Sequence, residues 1–378
     1  MKKIQFVILA IIGWYFLLII LHYFNQRPLW NDEACVFLSI GQKTPFELFH
    51  TPLLSLQEFP RTYLYSIQQF SGHFNFHLLA LRFFPFVCMF TAFLLWIRIA
   101  QAELGENIFL LTFLACWVAS APLIYYAAEL KQYSMDVLAA AIFIFVLRDE
   151  NKLSRWYWAL PLFGLFSYPS FFFMPLAWYA LLRKGSFNKL IFYTLLALMT
   201  AGIVYRFDIS VNNLSIVQKE WNSHFISFDS WNSFLKSWGQ SFDNLTSRWF
   251  VEHPKWIRMV ARVLMPIGFM QLIFGFWKTF KQDKFTFRSV NSIAFAVWFI
   301  HLFFGVLHKY PFVVPRTSLF FAPMLLLLFV KGLSWIKERQ IYVYRAVHYS
   351  FLVYLGYVSI GIARMILAGD LGAEPYIW

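Results

Sequence analysis

From Ile4 to Phe24 the chain carries no Asp, Glu, Lys or Arg, and apolar stretches of the same kind recur almost to its end. A helix needs about 20 such residues to cross a bilayer, because its backbone polar groups have no water to bond to there. Composition points the same way: 60% of residues are hydrophobic and 13% charged, against roughly 25% charged in a soluble domain. With 47 Phe, 19 Tyr and 16 Trp, much of the surface must meet lipid or the headgroup belt. The chain reads as an all-α polytopic membrane protein forming a single transmembrane domain over 1–378.

About eleven spans are expected, near 4–24, 76–97, 108–127, 134–147, 156–168, 170–183, 188–205, 259–280, 289–307, 317–333 and 346–366. Lys2 and Lys3 precede the first as in a signal peptide, but no small-residue cleavage site follows, so it reads as a retained anchor. The fifth and sixth spans, separated by Ser167-Tyr-Pro-Ser170, read as a bent pair. Short connections rich in Lys and Arg, among them Arg148/Lys152/Arg155, Arg183/Lys184/Lys189, Lys278/Lys281/Lys284/Arg288 and Lys331/Lys337/Arg339/Arg345, belong on the cytoplasmic side. That puts the N-terminus in the cytoplasm, the C-terminus outside, and the protein in the cell's inner (plasma) membrane as a multi-pass protein. The formal charge of +13 is spread over these loops; it implies anionic lipid or lipid phosphate rather than nucleic acid as a partner. Cys35, Cys88 and Cys116 are scattered, with no disulfide framework or metal-type spacing.

Two long polar segments remain for the outer face, 25–75 and 206–258. The first spaces Phe46, Leu48, Phe49, Leu53, Leu54 and Leu56 as short helices along the membrane surface would, broken by Pro45, Pro52 and Pro60. The second carries Trp221, Trp231, Trp238 and Trp249, as an interfacial cap or sugar-contacting surface would. Its sequons at Asn213 and Asn244 would face outward.

Chemistry concentrates on that face. Asp32 and Glu33, in Pro28-Leu-Trp-Asn-Asp-Glu-Ala34, lie just past the first span, where adjacent carboxylates shift each other's pKa. If 125–136 is one helix, Tyr126, Glu129, Tyr133 and Asp136 share a face, an expensive arrangement in an apolar segment unless they line a wet site. Arg316, after Lys309-Tyr-Pro-Phe-Val-Val-Pro, opens the span containing Pro323, and an arginine there can snorkel or grip a phosphate.

These motifs recur in one order: the acid pair, Leu81-Arg82-Phe-Phe-Pro85, Glu129-Leu-Lys-Gln-Tyr-Ser134, then Tyr310-Pro…Arg316…Pro323. The chain resembles the GT-C glycosyltransferases of the protein-mannosyltransferase and aminoarabinose-transferase type. The resemblance implies a polyprenyl-phosphate-linked sugar donor and transfer on the extracytoplasmic face to a lipid, glycan or protein. It also implies Asp32 as the catalytic carboxylate with Glu33 beside it. The substrate-binding set is then Glu58, Arg61, Arg82, Tyr126, Glu129, Lys131, Tyr133, Tyr310 and Arg316. Glu58-Phe-Pro60 resembles the acid-x-Pro step of the aminoarabinose branch, with Phe59 where Lys is usual and Arg61 as a candidate replacement charge. Many relatives carry a soluble C-terminal domain; with Trp378 so soon after the last expected span, none is expected here. A lipid phosphate is already a good leaving group, so the reaction needs cations at the phosphate and a base for the acceptor proton. No cofactor is demanded; a divalent ion, if one takes part, would use Asp32 and Glu129. The rival classes are a polysaccharide polymerase or ligase, which leans on loop Arg and His, and a transporter of lipid-linked or small anionic substrates, which would hold charges at mid-bilayer within an inverted repeat.

Overall fold

The computed structural model describes residues 2–54, 57–105, 107–211, 225–247, 259, 262–264, 266–283, 287–312 and 316–371, and among these every regular element is helical. Five helices are long and apolar enough to cross a membrane: Lys3–Phe24, Leu78–Leu104, Phe187–Ile209, Arg316–Arg339 and Tyr344–Ala368. A sixth span is counted if the broken pair Asn107–Val118 and Ala121–Ala128, bent by 69°, is taken as one. Tyr133–Leu147 and Val290–Val306 are apolar but shorter. The expected span over 156–168 is instead the end of a short helix, Glu150–Trp156, and a 3-10 turn, Leu160–Leu165. Pro161 starts that turn, and a proline has no N–H for a continuing helix.

Helix α1 (Lys2–Phe24) lies against α5 (Leu78–Leu104) and α6 (Asn107–Val118). Trp14 Nε1 donates to Ser359 Oγ at 2.6 Å and Asn25 Nδ2 to the Ile366 carbonyl at 2.8 Å, fastening the middle and the C-terminal end of α1 to the last helix, Ile341–Ala368. Between α1 and α5 come three short helices, α2 (Asn31–Gln42), α3 (Pro45–His50) and α4 (Arg61–Gly72). Asp32 and Glu33 fall in the first turn of α2, where negative charge suits the helix dipole. Thr44 and Glu47 form a reciprocal capping box that starts α3 at Pro45. Val36, Ile40, Leu48, Leu64 and Ile67 bury these helices against Leu81 of α5 and Leu130. That apolar cluster fixes α2 relative to the segment around residue 130.

That segment is not one helix. α7 (Ala121–Tyr125) gives way to a 3-10 turn at Tyr126–Ala128, Glu129 is extended (φ −116°, ψ 137°), and α8 begins only at Tyr133 and ends at Leu147. The single face expected for Tyr126, Glu129, Tyr133 and Asp136 is therefore absent. The break leaves backbone groups to be satisfied by side chains: Glu33 Oε1 accepts from the Leu130 N–H at 2.8 Å, and Tyr63 donates to the Lys131 carbonyl at 2.9 Å.

After α9 (Glu150–Trp156) come α10 (Ser170–Arg183), α11 (Phe187–Val204) with a π-turn to Ile209, α12 (Trp231–Ser247), α13 (Pro266–Asp283), α14 (Val290–Val306), α15 (Ala322–Arg339) and α16 (Ile341–Ala368). A 3-10 turn, Arg316–Phe321, leads into α15 and packs on α8. Of the second outer segment, Trp221, Trp249 and Asn213 lie outside the described residues, as does the side chain of Asn244.

The two ends of α5 carry different chemistry. Arg82, near its start, meets Glu33. Glu103, near its end, pairs with Arg148 at 2.9 Å and Lys331 at 2.7 Å, both from the basic connections. At 1.5 Å per residue these clusters stand about 32 Å apart along the helix, the thickness of a bilayer core.

Candidate active site

The two acids of α2 occupy different surroundings. Asp32 keeps 21% of its side chain exposed, and its Oδ2 holds Arg316 Nη1 at 2.8 Å and Lys131 Nζ at 3.2 Å. Its Oδ1 accepts from Gln57 Nε2 at 3.2 Å, and Gln57 Oε1 in turn accepts from Lys131 Nζ at 2.8 Å. Burial is the largest influence on Asp32 and pulls its pKa up, but the charges of Lys131 and Arg316 and the bonds from Lys131 and Gln57 outweigh it. The net pKa lies below the ordinary carboxylate value. Lys131 is nearly closed off, and burial lowers its pKa against the pull of Asp32 and Glu129.

Glu33 has no exposed surface. Its Oε2 pairs with Arg27 Nη1 at 2.8 Å and Arg82 Nη2 at 2.9 Å, and its Oε1 accepts from Arg82 Nε at 3.1 Å. Arg82 Nη1 also donates to the Arg27 carbonyl at 2.8 Å. This is an enclosed clamp that joins α2 to α5 and to the chain leaving α1. Arg82, expected among the substrate-binding residues, is wholly buried in it. Arg61 is enclosed as well: its Nη1 donates to the Leu48 and Thr51 carbonyls at 2.8 and 3.1 Å, and its backbone N–H to Asp208 Oδ1 at 3.2 Å. It thus ties α3 and α4 to the end of α11. Glu58 remains exposed at the surface, although the protein crowding around it raises its pKa against the charge of Arg61.

Glu129 stands between the two groups. Its Oε1 accepts from Trp30 Nε1 at 3.1 Å, while its buried Oε2 has no hydrogen-bond partner. Burial, then repulsion from Glu33, lifts its pKa to about 7, with Arg27, Lys131 and the Trp30 bond opposing. Tyr126 and Tyr133 meet edge-on at 4.9 Å between ring centres, and both lie within electrostatic reach of Arg316. Ser134 Oγ donates to the Tyr126 carbonyl at 2.5 Å, which holds the 3-10 turn against the start of α8. Tyr310 donates to the Thr317 carbonyl at 3.2 Å, one residue beyond Arg316, and its ring packs edge-on to Phe172 and His301.

Of the residues singled out in the sequence, Asp32, Lys131 and Arg316 come together directly, with Glu129, Tyr126 and Tyr133 around them. Glu33 with Arg82, and Arg61, lie behind in structural bonds. Gln57, Trp30 and Arg27 were not singled out. Gln57 is uncharged in a proline-broken loop and gave no signal. Arg27 did give one: a cation just outside the first span runs against the basic bias of the inner loops. Among the described residues no group of three or more His, Cys, Asp and Glu could hold a metal ion. At Asp32 Oδ2 the cationic positions are filled by Lys131 and Arg316.

No family model and no curated protein matches the sequence. The fold does have a counterpart: the crystal structure of ArnT from Cupriavidus metallidurans bound to undecaprenyl phosphate superposes with a TM-score of 0.53 over 98% of this chain and 73% of that one, at 11% identity. The chain has the GT-C fold. At that identity the likeness is one of fold. With its apolar spans, it makes the chain a multi-pass membrane protein whose regular elements are all helical among the described residues.

Proposed function

We propose that this chain is a membrane glycosyltransferase. It takes a sugar from a polyprenyl-phosphate donor and passes it to a lipid, glycan or protein hydroxyl on the extracytoplasmic face of the inner membrane. The observation that carries the reading is a partly exposed carboxylate, Asp32, sharing one oxygen between Arg316 and Lys131 in a chain folded like ArnT.

In this reading the donor's phosphate displaces Asp32 from both cations. Arg316 and Lys131 then compensate the negative charge that grows on the phosphate as it leaves. Asp32, relieved of two positive neighbours, becomes a stronger base at the moment the donor is in place. The acceptor oxygen attacks the anomeric carbon as its proton passes to Asp32. The bond from that carbon to the phosphate oxygen breaks, and its electron pair stays on the polyprenyl phosphate. Glu33, with Arg27 and Arg82, holds α2 so that Asp32 faces the donor. Glu129, Tyr126 and Tyr133 line the sugar side. Gathering of these charges at one end of α5 favours this reading over a transporter, whose ionisable groups would sit near mid-bilayer. The test is mass analysis of lipid-linked glycans in cells carrying the wild type or Asp32→Asn. A sugar-charged polyprenyl phosphate should accumulate only with the variant, and identical glycan profiles would overturn the assignment.

A further inference from the structure

At the other end of α5, away from Asp32, a cavity of about 220 Å³ opens between α5, α13 and α15. Glu103 and Leu104 of α5, Lys278 of α13, and Lys331, Trp335 and Glu338 of α15 line it. The charged groups of its inner wall are all paired: Glu103 meets both Arg148 and Lys331, and Lys331 Nζ also donates to Asn291 Oδ1 at 2.5 Å. Those of its mouth are not. Among the described residues neither Lys278 nor Glu338 has an ion-pair partner, though both face the same space. Among the described residues, the mouth therefore presents one unpaired cation and one unpaired anion.

The surroundings indicate what enters. Met270, Ile273, Phe274 and Trp277 are exposed apolar side chains on α13, the helix that brings Lys278 to the mouth, as on a surface bathed by lipid chains. Trp335 is half exposed at the rim, the interfacial position that indole rings favour. A ligand reaching this mouth from the membrane has its apolar part along α13 and its polar part between Lys278 and Glu338. A phosphate next to an ammonium matches that pair. A purely anionic headgroup would meet Glu338 unfavourably, and a quaternary ammonium has no N–H to give it. The Arg339 guanidinium, 4.1 Å from the Trp335 ring centre, already covers a face that a quaternary ammonium would seek.

We propose that this cavity is a binding site for the headgroup of phosphatidylethanolamine in the membrane leaflet opposite the Asp32 site, with Lys278 on the phosphate and Glu338 on the ammonium. A lipid held there bridges α13 to α15.

The test uses the full chain in detergent, with bound lipid counted by native mass spectrometry after adding phosphatidylethanolamine, phosphatidylglycerol or phosphatidylcholine of the same acyl chains. The wild type should retain phosphatidylethanolamine about tenfold better than either other lipid, the worth of one hydrogen bond between charged groups. Glu338→Gln should lose the preference over phosphatidylglycerol, and Lys278→Gln should weaken retention of all three lipids. Equal retention of the three lipids by the wild type would overturn the proposal without recourse to a variant. So would displacement of the lipid by free phosphoethanolamine at equal concentration, which would assign the cavity to a soluble ligand.

Discussion

Replacing Asp32 with Asn removes one charge from the place where the proposed chemistry and the proposed donor site meet. Asn keeps the shape and can still bond Gln57, so α2 is not disturbed. Arg316 and Lys131, now 2.8 and 3.2 Å from a carboxylate oxygen, lose their counter-charge. Coulomb's law gives about 6 and 5 kcal/mol for those separations at an effective dielectric of 20, and about 1.5 and 1.3 in water. Asp32 is about one fifth exposed, so solvent takes much of the larger figures. The net worth of a charged hydrogen bond, about 1.5 kcal/mol at its low end, is the better guide. A donor phosphate that must otherwise displace Asp32 should then bind the variant about tenfold more tightly. Transfer should fall at least ~100-fold, the low end for loss of a general base. The two readouts, analogue affinity by calorimetry with a non-transferable polyprenyl-phosphate sugar and turnover by mass spectrometry, move in opposite directions. A purely structural role for Asp32 would move them together. Weaker analogue binding in Asp32→Asn, or turnover close to wild type, would refute the exchange of Asp32 for phosphate.

Glu33→Gln should be worse for folding than Asp32→Asn, because it leaves Arg27 and Arg82 buried without their carboxylate; a loss of about 3–5 kcal/mol should appear as a collapse of thermal stability in detergent, and an unchanged melting temperature would count against the clamp. Arg316→Lys keeps the charge but not the planar fork, so donor-dependent activity should fall clearly, with Arg316→Ala lower still; a lysine variant as active as wild type would return Arg316 to snorkelling at the headgroups. Glu129, lifted from 4.5 to about 7 in the fold, binds its proton more tightly folded than unfolded. Its contribution to stability is therefore complete below about pH 4.5 and is lost as pH rises through 7. Melting temperatures across that window should fall less steeply for Glu129→Gln than for wild type, and parallel slopes would contradict a buried, protonatable Glu129.

The fold was legible where the signal is physical length without charge. α1, α5, α11 and α15–α16 sit close to the expected spans because a bilayer admits little else. It was less legible where proline and short polar steps interrupt an apolar run: Ser120 and Pro122 bend the third expected span, and Pro161 turns the fifth into a 3-10 segment. At the site, Asp32 and Arg316 stood out because they are ionisable groups at the mouths of apolar spans. Helical periodicity across 125–136 misled, since Glu129 is extended and its neighbours fall on separate elements. Sequence alone also kept Glu33 beside Asp32 at the catalytic centre, as nothing in a dipeptide distinguishes the side that meets an arginine pair from the side that meets a substrate.

That division follows from helix geometry. Neighbouring residues on a helix point about 100° apart, so a pair in one turn of α2 cannot both face the same partner. Glu33 turns toward α5, where Arg82 and Arg27 enclose it, and Asp32 is thereby turned toward Lys131 and Arg316. Trp30, at the N-cap of α2, provides no side-chain cap, so the orientation of the helix start rests on that ion cluster and on Val36 and Ile40 beneath it. A buried ion cluster is a poor source of net stability but fixes geometry well, since any shift of α2 would leave two guanidinium groups unpaired in a low-dielectric interior. The same arrangement makes Asp32 separable from folding: its charge can be removed while the ion pairs that orient it, Glu33 with Arg27 and Arg82, stay intact.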